Sequence, residues 1–148
     1  MGRAWGTNLG IADPALLTLA NDATCAAGAA TTVLQYGTSP KLVAGAGGGF
    51  FLAVYATLTL ALGVTPPSAL AILLNLATAG LEDTYTIEPG LLTASAELYL
   101  SVPLFVATSR TIWFPTGDNP QVQVSPTGQA VTCKAVGTRA VVVLQQGS

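Results

Sequence analysis

The chain has 148 residues and a mass of 14.9 kDa, of which 51% is apolar and 8% charged, against roughly 25% charged in an ordinary soluble domain. It carries five basic and seven acidic side chains, a net charge of -2 and no histidine. These numbers exclude a basic footprint for nucleic acid, remove the commonest general base and metal ligand, and exclude disorder, because so apolar a chain buries enough surface to offset its ordering entropy.

In chain order, residues 1–30 hold no sustained period and read as an N-terminal arm. Trp5, Leu9, Ile11, Leu16 and Leu17 are too many large apolar side chains for a free tail, so the arm is expected to dock on a neighbour. Asp13-Pro14 ahead of Ala15–Ala20 also fits a short helix, with Asp13 as N-cap and Pro14 in its first turn; this alternative stays open. From Thr31 onward, strand signals alternate with turn residues. Thr31–Tyr36 stops at Gly37-Thr38-Ser39-Pro40, and Lys41–Ala44 runs into the glycine-rich Gly45–Gly49. Phe50–Leu62 alternates strictly: Phe50, Leu52, Val54, Leu58, Leu60 and Leu62 share one face with small Ala56, and Phe51, Ala53, Tyr55, Thr57, Thr59 and Ala61 share the other. Ala69–Ala77 places Leu70, Ile72, Leu74 and Leu76 on one side, a period of two rather than 3.6. Glu82–Ile87 is short and polar, and Leu92–Val106 reads as one or two pieces, with Pro103 marking an edge strand or a bulge. Arg110–Phe114, Gln121–Val124, Gln129–Val136 and Arg139–Gln145 follow, separated by Pro/Gly turns. The expected fold is all-β: a jelly-roll-like sandwich of eight to ten short antiparallel strands over residues 31–148, with the arm in front.

So few charges on a small protein have three readings: an outer surface covered by other subunits, a segment in a bilayer, or a monomer with a neutral Thr/Ser/Gln/Asn surface. We favour the first. Leu42–Leu81 is free of charge, but a lipid-facing helix has no reason to alternate with period two, and no Lys/Arg cluster flanks the run. The N-terminus lacks the apolar stretch of a signal peptide, and Gly6 occupies the position where a myristoylation pattern wants Ser or Thr. Synthesis in a cytoplasm is therefore expected.

Motifs for chemistry are missing. Gly45–Gly49 is followed by Phe50-Phe51 rather than the Lys and Ser/Thr of a phosphate loop. Glu82-Asp83 with Glu88 lacks calcium-loop spacing and reads as a solvated face. There is no GxSxG elbow, and no histidine to activate a serine or a cysteine. Cys25 and Cys133 read as buried thiols, with a disulfide as the open alternative. No enzyme activity and no cofactor are expected.

The turn and aromatic-led strand Gly49-Phe50-Phe51-Leu52-Ala53-Val54-Tyr55, the core-type strand Ala69–Ala77, the Leu-rich strand after Pro89-Gly90 and the closing strand Ala140–Gln145 together resemble compact jelly rolls of the tumour-necrosis-factor/C1q type. Within that group they resemble the trimeric capsid decoration, or cement, proteins of bacteriophages. The resemblance covers about 115 residues at the level of pattern and carries no functional residue with it. It implies a homotrimer that reinforces a capsid shell from outside, with the major capsid protein as partner and no nucleic-acid partner. On that reading Trp5, Leu9 and Ile11 dock the arm, and Tyr55, Tyr99 and Phe105 are candidates for the subunit interface. The alternative is a receptor- or carbohydrate-binding jelly roll with Trp113 as ligand platform beside the loop Thr116–Pro120. A small membrane protein ranks third, and an enzyme is the least expected class.

Overall fold

The computed structural model describes residues 15–35, 49–76, 80–104, 112–114 and 121–146. Among them lie eleven strand segments in two antiparallel sheets: β1 (Ala15–Thr18), β2 (Ala23–Cys25), β3 (Thr31–Gln35), β4 (Gly49–Leu62), β5 (Ala69–Leu76), β6 (Gly80–Thr86), β7 (Glu97–Leu104), β8 (Ile112–Phe114), β9 (Gln121–Thr127), β10 (Val131–Cys133) and β11 (Arg139–Gln146). A short 3-10 turn, Pro89–Leu91, precedes β7.

Six of the segments join end to end into three long rows. At about 3.3 Å per residue, β4 runs for about 45 Å, longer than any partner segment. One of its edges takes β10 and then β11, and the other takes β7 and then β8. The outer edges of β10 and β11 take β2 and β1. The first sheet therefore has four rows: β1/β2, β10/β11, β4 and β7/β8. The second is β3-β9-β5-β6. Numbered along the chain, the eight rows lie in the orders 1-8-3-6 and 2-7-4-5, which is the two-Greek-key arrangement of a jelly roll. The fold class expected from the pattern of strands is the one observed.

The core lies where alternation puts it. Val54, Ala56, Leu58, Leu60 and Leu62 of β4 are buried, and they face Leu70, Ile72 and Leu74 of β5 and Val122 and Val124 of β9. Val102 and Leu104 of β7 and Ala140 and Val142 of β11 extend the same layer. Each of the large side chains contributes about 1.5–3 kcal/mol by leaving water.

The arm assignment, and with it the helix alternative, needs correction. Residues 15–25, assigned to the arm, are the edge row of the first sheet, with Leu16 opposite Val141 and Thr24 opposite Thr132; the helix alternative for Ala15–Ala20 falls with it. Backbone donors at a sheet edge outweigh a weak local helix signal. The Leu92–Val106 segment holds one described strand, β7, and Pro103 sits in it on the sheet's edge row, as a residue without an N–H must. Residues 1–14 lie outside the described residues.

The break between β10 and β11 is a built feature. Lys134–Thr138 leave the ladder opposite Leu58 and Thr59 and return to it. The lost pairing is replaced: the Lys134 N–H donates to the Thr59 carbonyl at 2.8 Å, and the Thr59 N–H donates to the Thr138 hydroxyl at 3.1 Å. Gly137, at φ +87°, makes the return, and its Cα lies so close to Thr59 that a Cβ would stand 2.5 Å from the threonine Oγ1. Across the row, Asp22 accepts the Ala135 N–H at 2.8 Å and pairs with Lys134 at 2.8 Å.

Candidate functional site

Alternation that buries one face of β4 puts Tyr55, Thr57 and Thr59 on the other, where the loop at Gly137 covers Thr59. Register then decides their neighbours. Leu16, Val141, Tyr55 and Pro103 form one cross-strand line; Thr18, Arg139, Thr57 and Ser101 form the next; Thr59 lies opposite Tyr99. The face is open, and its apolar first line is flanked by the polar second. Leu16 is 62% exposed, Tyr55 48%, Tyr99 75%, and Val136, at the tip of the bulged loop, 85%.

Two shallow grooves run over this face. One, of about 360 Å³, is lined by Tyr55, Thr57, Ser101, Pro103, Arg139 and Val141. The other, of about 340 Å³, is lined by Thr57, Thr59, Tyr99, Ser101, Val136 and Gly137. Thr57 and Ser101 line both, so the two form one trough with Tyr55 toward one end and Tyr99 toward the other. Four residues of strand rise separate the tyrosines, roughly 14 Å.

Charge on the face is sparse. Arg139 projects into the first groove and has no carboxylate partner among the described residues. Glu97 accepts a hydrogen bond from the Tyr99 hydroxyl, and that carboxylate raises the tyrosine above its ordinary pKa. Asp22 is held below the usual carboxylate range by Lys134 and the Ala135 N–H, and Lys134 is raised by the same pair.

Among the described residues no three His, Cys, Asp or Glu side chains come together for a metal, and no helix is long and apolar enough to cross a membrane. Cys25 and Cys133 are free and fully buried on adjacent strands, Cys25 opposite Val131 and Cys133 two residues further on. Burial pushes the Cys25 thiol up to about 11 and raises Cys133 as well, which keeps both protonated and unreactive.

Of the residues singled out from sequence, the fold brings Tyr55 and Tyr99 to one face. Trp113 takes a place in β8 opposite Phe50, and only its backbone is described. Trp5, Leu9, Ile11 and Phe105 lie outside the described residues. Sequence reasoning named Leu16 as a docking residue of the arm and Pro103 as an edge marker, placed neither on this face, and missed Val136, Arg139 and Val141. Alternation assigns a face within each strand, but which strands adjoin is not a local property.

No family model matches the sequence, and no curated protein is significantly similar to it. Solved structures do align. A xylan-binding module, CBM15, is 16% identical, with a TM-score of 0.50 over 91% of this chain and 99% of its own. The Eiger TNF of S. frugiperda is 9% identical, with a TM-score of 0.44 over 91% and 92%. At 16% identity the first likeness shows the fold alone. The chain is a jelly-roll β-sandwich whose outer face, on the first sheet, carries an exposed apolar trough.

Proposed function

We propose that this chain is a structural, non-enzymatic protein: a jelly-roll subunit that packs against copies of itself through the outer face of the first sheet, forms a homotrimer, and decorates the exterior of a bacteriophage capsid. The observation that carries the reading is the line of exposed Leu16, Tyr55 and Pro103 with half-buried Val141 among them, and exposed Tyr99 and Val136 beyond it, in a chain with so few charges. A monomer rarely leaves a contiguous apolar strip of this kind in water, and exposed tyrosines on a rigid sheet are typical anchors of a protein interface. Attachment to the major capsid protein falls to the residues ahead of β1, through Trp5, Leu9 and Ile11. The test is light scattering after size exclusion in detergent-free buffer. The expected mass is three times 14.9 kDa, falling to 14.9 kDa in the Tyr55→Ser/Tyr99→Ser variant. A wild-type monomer at every concentration refutes the assembly. Deletion of residues 1–12 is expected to leave the trimer and abolish capsid binding.

A second reading has its own support. Two exposed tyrosines roughly 14 Å apart along a trough with threonine and serine hydroxyls between them suit stacking on a glycan chain, and the CBM15 fold likeness is compatible with it. Selective binding on a glycan array by a monomer, lost in Tyr99→Ser, would establish this reading in place of the first.

A further inference from the structure

Arg139 lies in the first groove between Thr18 and Thr57 in register, with apolar Val141 and Pro103 beside it. Covering this face with another molecule would strip water from the guanidinium. A guanidinium desolvated without acceptors is strongly destabilising, and a carboxylate, which matches both its charge and its fork of donors, is the partner that best offsets that cost. The described carboxylates of the chain itself can be taken in turn. Asp22 is occupied by Lys134 and the Ala135 N–H. Glu82 and Asp83 belong to β6 of the second sheet, and Glu88 precedes the 3-10 turn. Glu97 remains. It lies on β7 near the opposite end of the same face, four residues along the strand from Ser101, the register neighbour of Thr57 in the Arg139 line. Its own cation environment is thin: Lys134 lies within electrostatic range but is committed to Asp22. The Tyr99 hydroxyl holds one carboxylate oxygen and leaves the other for a partner.

We infer that the two ends of the face are charge-matched: around the ring of copies, the Arg139 end of one copy packs head-to-tail on the Glu97 end of the next, and the two side chains pair. The inference rests on the assembly reading above and deepens it, since it fixes the occupant of the groove as a second copy and sets the register in which the two ends meet. One cation and one anion at opposite ends of a face also disfavour the slipped packings that apolar contact alone would permit.

The experiment is a charge-reversal cycle on the full chain, read by sedimentation equilibrium. Arg139→Glu alone and Glu97→Arg alone are each expected to weaken association at least about thirtyfold. The double variant is expected to recover most of it. Wild-type association should also weaken as salt is raised from low ionic strength, a readout that needs no variant. A wild-type monomer overturns both the pairing and the assembly reading. An oligomer that tolerates either single reversal, or that the double variant fails to restore, overturns the pairing and leaves the assembly standing. Both residues lie on the outer face of the sheet, and circular dichroism of each variant confirms that the fold is retained.

Discussion

Replacing Gly137 by alanine tests the bulged loop on which half of the trough depends. Two separate costs follow from the structure. The residue sits at φ +87°, where a Cβ costs about 1–2 kcal/mol. The same Cβ would stand 2.5 Å from the Thr59 Oγ1, well inside contact distance, on a buried residue of a strand paired on both sides. Relieving that overlap costs about 1–3 kcal/mol. The total expected loss is about 2–5 kcal/mol, read by urea denaturation at one fixed protein concentration. Gly28 provides the control. Its φ is +78° but nothing lies within 4 Å of a Cβ there, so Gly28→Ala should show the backbone cost alone, about 1–2 kcal/mol. Thr59→Ala removes the clashing oxygen and leaves only the Thr59 Cβ at 3.6 Å, ordinary contact. In that background, Gly137→Ala should fall to the Gly28 value, a coupling of about 1–3 kcal/mol. If Gly137→Ala costs no more than Gly28→Ala, or costs the same with and without the Thr59 hydroxyl, the close approach argued for the loop is refuted.

Two further predictions concern titratable groups. Burial raises the Cys25 thiol to about 11, so from about pH 8.5 upward the unfolded chain releases a proton that the folded chain keeps. The stability this proton confers is intact at neutral pH and is lost as pH rises toward 11, at about 1.4 kcal/mol per pH unit. Denaturation at pH 7, 9 and 10 should show the decline. Cys25→Ala should flatten it, apart from the smaller share of Cys133; an unchanged slope would deny the burial argument. Asp22 is depressed by Lys134 and the Ala135 N–H, so its contribution holds above pH 4 and is lost on acidification below the ordinary carboxylate range. Asp22→Asn should speed hydrogen exchange at the Ala135 amide and leave exchange in the centre of β4 unchanged, as read by NMR. Equal protection of Ala135 in both proteins would remove Asp22 as the tie across that row.

Much was legible in the chain itself. Strict alternation from Phe50 to Leu62 determined which side of β4 is core, because a residue on a pleated strand has only two directions to point. The same rule placed Leu70, Ile72 and Leu74 inside, and Pro/Gly turns at short intervals determined an all-β sandwich. The absence of histidine and the low charge narrowed the chemistry before any coordinates. Tertiary structure decided everything that depends on which strand lies beside which. Ala15–Cys25 had no sustained period and joined the sheet because the outer edge of β10/β11 offered it backbone partners. Tyr55 and Tyr99, separated by more than forty positions, share a face because β4 and β7 pair in a register that sets Tyr99 opposite Thr59. Arg139 reached the same groove only through the loop at Gly137, which lets β10 and β11 follow one strand despite the extra residues between them. Local sequence dictates the direction of each side chain, whereas the neighbours that make a surface into a site are set by hydrogen-bond register between distant segments, which no local pattern encodes.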